Sequence, residues 1–559
     1  MEPQLSTYHD PQFDIQQPFD IAVVIPTICR ESLAVALRSI FLQDYNGRVH
    51  ILLGIDNVVD KGFNFEALLC ERPKNMALTL LWPGYSTNKK RGGMHSAMGG
   101  GSLRSLLSFL GNAHYVTYLD DDNWFSPNHL STLHSCIQGK KWAFSRRWFV
   151  DEITHQPLCE DSWESVGPNQ GVFASNFGGF VDTNCLMIDT LACATHLSTW
   201  CRALSKYKNG RGADRQFFKR LKELKPFGDS QTATVSYITQ RGDHNQKARL
   251  NYIDKHNISC GITNCKDWAS QPKKSLKRRQ KSCKSGRLSI FGKLDKSFDI
   301  SVIIPTIGRT ELLKSIYSIF EQTFSGRVQI LIGIDKIINE PLNFADLTKN
   351  MPDNMTLMVF DPGYSTSTRH GGVFEAHDGG ALRTILSYLA NAPYVAYLDD
   401  DNTWKPTHLS TLFNAIQNKN YAYSLREFIH PDGKTPISID YWESVGPKKG
   451  FFAFKYNGFI DPNCLMLNIA HCLNSLPLWT RPLIYDPTKL SADRVIFHFL
   501  YHYAQGKSTK IATSNYVINS NDPMHELRRM YLGHRWINAD LISLKNKLLN
   551  GSKLPSQKR

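Results

Sequence analysis

The sequence has no long hydrophobic run. Its most apolar stretches, such as Ile21 to Ile25 and Val302 to Ile304, are of buried-strand length, far below the ~18 residues of a spanning helix. The opening MEPQLSTYHDPQFDIQQPFD has neither a basic start nor an apolar core, so no secretory signal is expected and a cytoplasmic setting is. There is no CxxC pair and no disulfide-like spacing. Twelve cysteines fall as eight up to Cys260, two in the middle and two near the end, which reads as reduced thiols. Disorder is excluded except locally, because 42% of residues are hydrophobic and 21% charged.

Acid is in short supply. Fifty Asp and Glu face 65 Lys and Arg, a net charge of +15, which suits nucleic acid, an anionic membrane surface or acidic substrates such as sugar nucleotides. From Lys266 to Lys296 there are eleven Lys or Arg against Asp267 and Asp295. That concentration in one stretch, away from aromatics, disfavours a nucleic-acid module and marks a linker. The linker could hold the chain against an anionic membrane or serve as an exposed tether.

At 559 residues the chain exceeds one hydrophobic core, and an internal repeat divides it. IPTICRE at Ile25 is answered by IPTIGRT at Ile304, 279 residues on. GID, PGYST, YLDDDN, WESVGP, NCLM and ADR recur at the same offset, as at Tyr118 and Tyr397 or Trp163 and Trp442. A period this long is duplication of a whole domain. The predicted layout is an N-terminal tail 1–17, a first domain 18–260, a basic linker 261–297, a second domain 298–540 and a basic C-terminal tail 541–559.

Each copy starts with an apolar run ending in Pro-Thr, as expected of a strand buried on both faces. Leu33, Leu37, Ile40 and Phe41, like Leu312, Ile316, Ile319 and Phe320, recur at helical spacing. Strands VHILLGID, LTLLWP and YVTYL follow, with a helix carrying Leu103, Leu106, Leu107 and Leu110. The alternation predicts an α/β fold with a doubly wound, mostly parallel sheet. Ligands in such sheets bind beyond the carboxyl ends of the strands. Thr27, Asp56 and Asp120 to Asp122 stand at such ends, and so do Thr306, Asp335 and Asp399 to Asp401.

Three consecutive acids repel one another, and a divalent cation would relieve them. Oxygen donors suit Mg²⁺ or Mn²⁺ and leave positions for a diphosphate. The plainer reading is a turn in which Asp122 caps a helix opening at Ser126-Pro127.

In this order, a buried strand ending in IPT, an acid closing the second strand, a Gly-Gly and Arg helix, and LDDDN followed by Pro resemble the family 2 glycosyltransferases of GT-A fold. The resemblance covers nearly all of each copy and implies two tandem Rossmann-like GT-A domains. It implies that Thr27, Asp56, Thr306 and Asp335 hold base and ribose, and that Asp120, Asp121, Asp399 and Asp400 contact the nucleotide-sugar. It places metal on Asp122 and Asp401, with His244 where relatives often put a metal-binding histidine. It makes Asp214 and Asp493 the general bases of an inverting transfer, although Ala213 and Ala492 replace the family's usual preceding acid. Helix N-terminal charge is the plainer role for both.

Lys89, Lys90 and Arg91 are expected to stabilise the departing diphosphate. Trp163 with Glu164, and Trp442 with Glu443, suit a sugar platform with a hydrogen-bonding acid, or equally a core Trp and a buried, satisfied acid. Gly92, Gly93, Gly99 and Gly100 allow close approach to a donor, or form turns. His370 answers Arg91 in the second copy and Pro523 answers His244, which makes the second site the candidate for loss. The function expected is a hexosyl- or N-acetylhexosaminyltransferase with a nucleotide-diphosphate sugar donor, a UDP-sugar favoured, and a glycan or lipid-linked acceptor in surface polysaccharide synthesis. A nucleotidyltransferase making sugar nucleotides and a non-catalytic carbohydrate-binding scaffold are the alternatives.

Overall fold

The computed structural model describes residues 2–57, 65–204, 210–239, 246–256, 282–337 and 342–551. Each repeat folds as a Rossmann-like α/β domain around one large, mostly parallel sheet, as the alternation of elements predicts. In the first domain the parallel centre runs Met76–Trp82, Val49–Ile55, Phe19–Thr27, Ala113–Tyr118. Leu186–Asp189 then joins antiparallel, followed by Trp142–Asp151 and Phe227–Thr239. The second domain repeats the order, with Met355–Asp361, Val328–Ile334, Ile300–Thr306 and Tyr394–Tyr397 at its centre. Ile21 to Ile25 and Ile300 to Ile304 are buried, because helices cover both sheet faces.

The strand Gln4–His9 lies in the stretch expected as an N-terminal tail and pairs with Met76–Trp82. The basic linker is likewise not wholly a tether. Cys283–Ser285 extends the edge of the first sheet, and Arg287–Phe291 pairs with Met355–Asp361 at the edge of the second. Edge strands leave unpaired N–H and C=O groups, and these short segments satisfy them. The helix His534–Gly551 runs into the expected C-terminal tail.

The helices Gly101–Leu110 and Gly380–Leu389 are buried along their whole length. They meet each other between the two domains, where Phe109 stacks on Tyr388 at 6.0 Å, its own counterpart in the repeat. Contacts on either side are reciprocal: His95 approaches Tyr388 and Phe374 approaches Phe109. Among the described residues no helix is long and apolar enough to cross a membrane.

Candidate functional site

The polar ends of three central strands and the start of the helix Ala213–Leu221 converge on a cavity of about 890 Å³ in the first domain, lined by Thr27, Asp56, Arg91, Asp120 to Asp122 and Asp214. Sequence-distant residues meet here because parallel strands end on the same sheet edge. The Thr27 hydroxyl donates to Asp121 Oδ2 at 2.7 Å, and Thr306 to Asp400 Oδ2 at 2.6 Å. Burial pushes the carboxyls of Asp121 and Asp400 up from their ordinary range.

Asp56 accepts from the Ser86 hydroxyl at 2.8 Å and from Arg91 Nη1 at 3.0 Å. In the second domain Ser365 donates to Asp335 at 2.6 Å, but His370 Nε2 stands 3.8 Å from Asp335 Oδ2. Burial pushes Asp335 up and His370 down. Lys89, Lys90 and Arg91 form a short 3-10 turn capped by Asn88 and closed by left-handed Gly92. Gly100 is forced by packing, since a Cβ there would lie 2.2 Å from Pro26 Cβ at a φ of +74°. Its counterpart Gly379 meets Pro305 in the same way. Packing against these prolines therefore excludes a side chain at either position, and Gly100 also lines the cavity.

Asp120 pairs with Arg104 and accepts from Asn184 Nδ2 at 3.1 Å. Asp399 pairs with Arg383 and accepts from Asn463 Nδ2 at 2.7 Å. Asp122 receives Arg30 Nη1 at 2.9 Å, and Asp401 receives Arg309 Nη1 at 2.8 Å. Asp122 does not cap a helix at Ser126. The helix His129–Ile137 starts after Asn128, and Ser126 contributes only its carbonyl to His129 N at 3.0 Å. Burial, with Asp399 and Asp400 alongside, raises Asp401 to about 7.

The hard-oxygen donors of Asp120 and Asp122 suit Mg²⁺ or Mn²⁺, and the crowding of Asp401 is what a cation would relieve. Among the described residues, though, no group of three or more His, Cys, Asp or Glu could hold a metal ion. Substrate phosphate and water would have to complete any coordination shell. His244 lies outside the described residues.

Asp214 and Asp493 each sit in the first turn of a helix. Burial raises Asp214, against the opposing charge of Arg215. Burial raises Asp493 to about 7, with Asp378 and Asp461 adding to the effect. Asp378 occupies the position of Gly99 and is itself raised to about 6 by burial.

Trp163 lies outside the cavity wall, one face covered by Tyr252 at 5.4 Å and 12°. Trp442 is covered by Tyr531 at 4.7 Å and 10°. Glu164 borders the cavity but is buried between Arg147 at 2.8 Å and Arg249 at 2.8 Å. Glu443 repeats this with Arg426 and Arg528.

The cluster behind Glu164 is the feature that residue-by-residue sequence reading missed. Buried Arg147 also meets Asp161 at 2.8 Å and Asp182 at 2.7 Å. Arg426 meets Asp440 at 2.8 Å and Asp461 at 2.5 Å. Every member is identical in both copies at the 279-residue offset, and that identity was the signal available.

No family model matches the chain, and no curated protein matches it. Several solved structures of S. aureus TarS are similar in part. One has 13% identity and a TM-score of 0.30, covering 43% of this chain and 43% of that one, so the match spans less than half of that neighbour. TarS 1-349 in complex with UDP has 14% identity and a TM-score of 0.29, covering 46% of this chain and 76% of that one. TarS 1-349 in complex with UDP-GlcNAc has 13% identity and a TM-score of 0.30, covering 44% and 69%.

Proposed function

We propose that the protein is a glycosyltransferase of GT-A type that moves a sugar from a nucleotide-diphosphate sugar to a hydroxyl acceptor, with the first domain carrying the principal donor site. The observation that carries this reading is the first-domain cavity, whose lining brings together the strand-end acids Asp120 to Asp122, the arginines Arg30, Arg91 and Arg104, and the buried Asp214. Arginines at that lining suit a diphosphate leaving group, and a buried carboxylate in the same cavity suits a proton acceptor.

In the reaction proposed, the acceptor oxygen bonds to the anomeric carbon as the bond from that carbon to the diphosphate oxygen breaks. The acceptor proton passes to the Asp214 carboxylate, and one displacement inverts the anomeric centre. Asp122 with Asp120 would hold Mg²⁺ or Mn²⁺, which would supply charge neutralisation for the diphosphate. The arginines orient the diphosphate, and Asp56 with Thr27 would position the nucleoside. A UDP-sugar of hexose or N-acetylhexosamine type is the donor we favour, with a surface glycan or lipid-linked acceptor in the cytoplasm. The second site is the weaker donor site in this reading, because His370 replaces Arg91 and Asp378 adds a negative charge where the first site has Gly99.

The test is nucleoside diphosphate release from UDP-, GDP- and dTDP-sugars with Mn²⁺, in wild type, Asp122→Ala, Asp401→Ala and the double variant. Release from one donor, abolished by Asp122→Ala and little changed by Asp401→Ala, is the expected result. No release and no nucleotide binding with any donor would turn the assignment to a carbohydrate-binding scaffold.

A further inference from the structure

The rim of the second site carries a loop that the duplication has altered in one direction. Residues 446–456 read GPKKGFFAFKY where 167–177 read GPNQGVFASNF. The backbone frame is shared. Lys448 and Asn169 both take left-handed φ values, 58° and 59°. Phe451 N donates to Trp442 O at 2.6 Å, as Val172 N does to Trp163 O at 2.8 Å. The short helices Ala453–Tyr456 and Ala174–Phe177 end alike in left-handed caps.

On this common frame Asn169, Gln170 and Asn176 give way to Lys448, Lys449 and Lys455, all exposed. Val172 and Ser175 give way to Phe451, 46% exposed, and Phe454, 102% exposed. Beside them Tyr441, 63% exposed, stands where the first copy has Ser162. Phe451 also rests against Trp442 at 4.8 Å, but Phe454 is fully exposed, and the first copy builds the same loop without either ring or the lysines. Fully exposed phenylalanine is costly in water. Set among lysines, it matches an anionic lipid interface, where aromatic rings enter the headgroup layer and lysines meet lipid charge.

We propose that the loop 446–456 docks the protein on an anionic lipid bilayer, Phe451 and Phe454 entering the interface and Lys448, Lys449 and Lys455 contacting acidic headgroups. This assigns membrane contact to the second-domain rim rather than to the basic stretch between the domains. It does not depend on the transfer chemistry. The loop also packs on the residue beside Asp493, since the Arg494 guanidinium lies 4.9 Å from the Phe452 ring. Docking would therefore bring the second site to the bilayer surface.

The experiment is co-sedimentation of the full chain with phosphatidylcholine vesicles with and without phosphatidylglycerol. The variant replaces the five residues by those of the first copy (K448N, K449Q, F451V, F454S, K455N). Wild type should bind the phosphatidylglycerol vesicles and be released by high salt, and the variant should bind at least about a hundredfold more weakly, the effect of removing three lysines from an anionic surface before the loss of the two rings is added. F454S alone, a substitution in a side chain without packing, should weaken binding severalfold and serves if the larger variant fails to fold. Undiminished vesicle binding by the variants would overturn the proposal and return the contact to the stretch 266–296. Wild type that ignores vesicles but is retained on a polysaccharide matrix, with retention lost in the variants, would overturn it in favour of a glycan-binding rim.

Discussion

Tyr85 and Tyr364 exchange the same hydrogen bond across the interface between the domains. Tyr85 OH donates to Leu389 O at 2.7 Å, and Tyr364 OH donates to Leu110 O at 2.8 Å. Each residue is the other's counterpart at the repeat offset, and so are the two acceptors. A self-complementary contact of this kind is the geometry of a two-fold dimer interface, here realised within one chain.

Both hydroxyls are buried, so removing either leaves a carbonyl unpaired. Tyr85→Phe and Tyr364→Phe should each lower stability by about 1–3 kcal/mol. Denaturant melts followed by fluorescence and by circular dichroism check this. If the interface couples the domains, the double variant loses coincidence of the two probes; two unaffected melts would show that the hydroxyls contribute nothing.

Asp214→Asn should lower kcat by roughly 10²–10⁴-fold, the usual contribution of a general base, while nucleotide affinity measured calorimetrically stays near wild type. Because burial raises the Asp214 carboxyl, wild-type kcat should fall on acidification from a pH above the ordinary carboxylate range. An equal loss of nucleotide binding would assign Asp214 to the donor pocket instead.

Asp493 has a folded value near 7 against ~3.9 when unfolded. A carboxyl raised by folding binds more protons in the native state, so its cost is absent below about pH 4 and fully present above about pH 7. Asp493→Asn should therefore raise the melting temperature at pH 8 and leave it unchanged near pH 4. Equal shifts at both values would contradict the assignment.

His129 and His408 are buried, stacked on Phe125 and Trp404, and bonded to Thr234 and Thr513. Burial lowers both to about 3. Their neutral forms favour the native state above the unfolded value of ~6.5, and that stability is lost as the pH falls from there toward 3. The double variant His129→Gln, His408→Gln should show a shallower decline of denaturation midpoint between pH 6.5 and 4 than wild type does.

Arg147→Met leaves the carboxylates of Asp161, Asp182 and Glu164 buried without their shared cation, at a cost of about 3–5 kcal/mol. Arg426→Met should do the same in the second domain. Proteolysis of each folded variant would report which domain opens, and unchanged resistance in both would mean that the clusters relax without their arginine.

Much of this architecture was legible in the chain. The unbroken offset between IPTICRE and IPTIGRT defines two domains. The apolar runs ending in Thr27 and Thr306 define central strands, because continuous hydrophobicity needs cover on both faces. The first-domain residues Thr27, Asp56, Arg91, Asp120 to Asp122 and Asp214 meet at one cavity, as expected of groups at the carboxyl ends of parallel strands. Local pattern could not supply partners. Arg147 finds its acids 14, 17 and 35 residues away, and Glu164 meets Arg249 across 85, separations at which no periodicity links one side chain to another. The stacking of Tyr252 on Trp163, the pairing of the linker at two sheet edges and the exchange between Tyr85 and Tyr364 are likewise products of tertiary structure. Sequence by itself determined the duplication, the alternation of strands and helices and the kinds of residue brought to the sheet edge, since these follow from repeated identity and backbone period. Only folding in three dimensions decided which charge neutralises which and how the two copies meet, because those choices depend on distances between segments far apart in the chain.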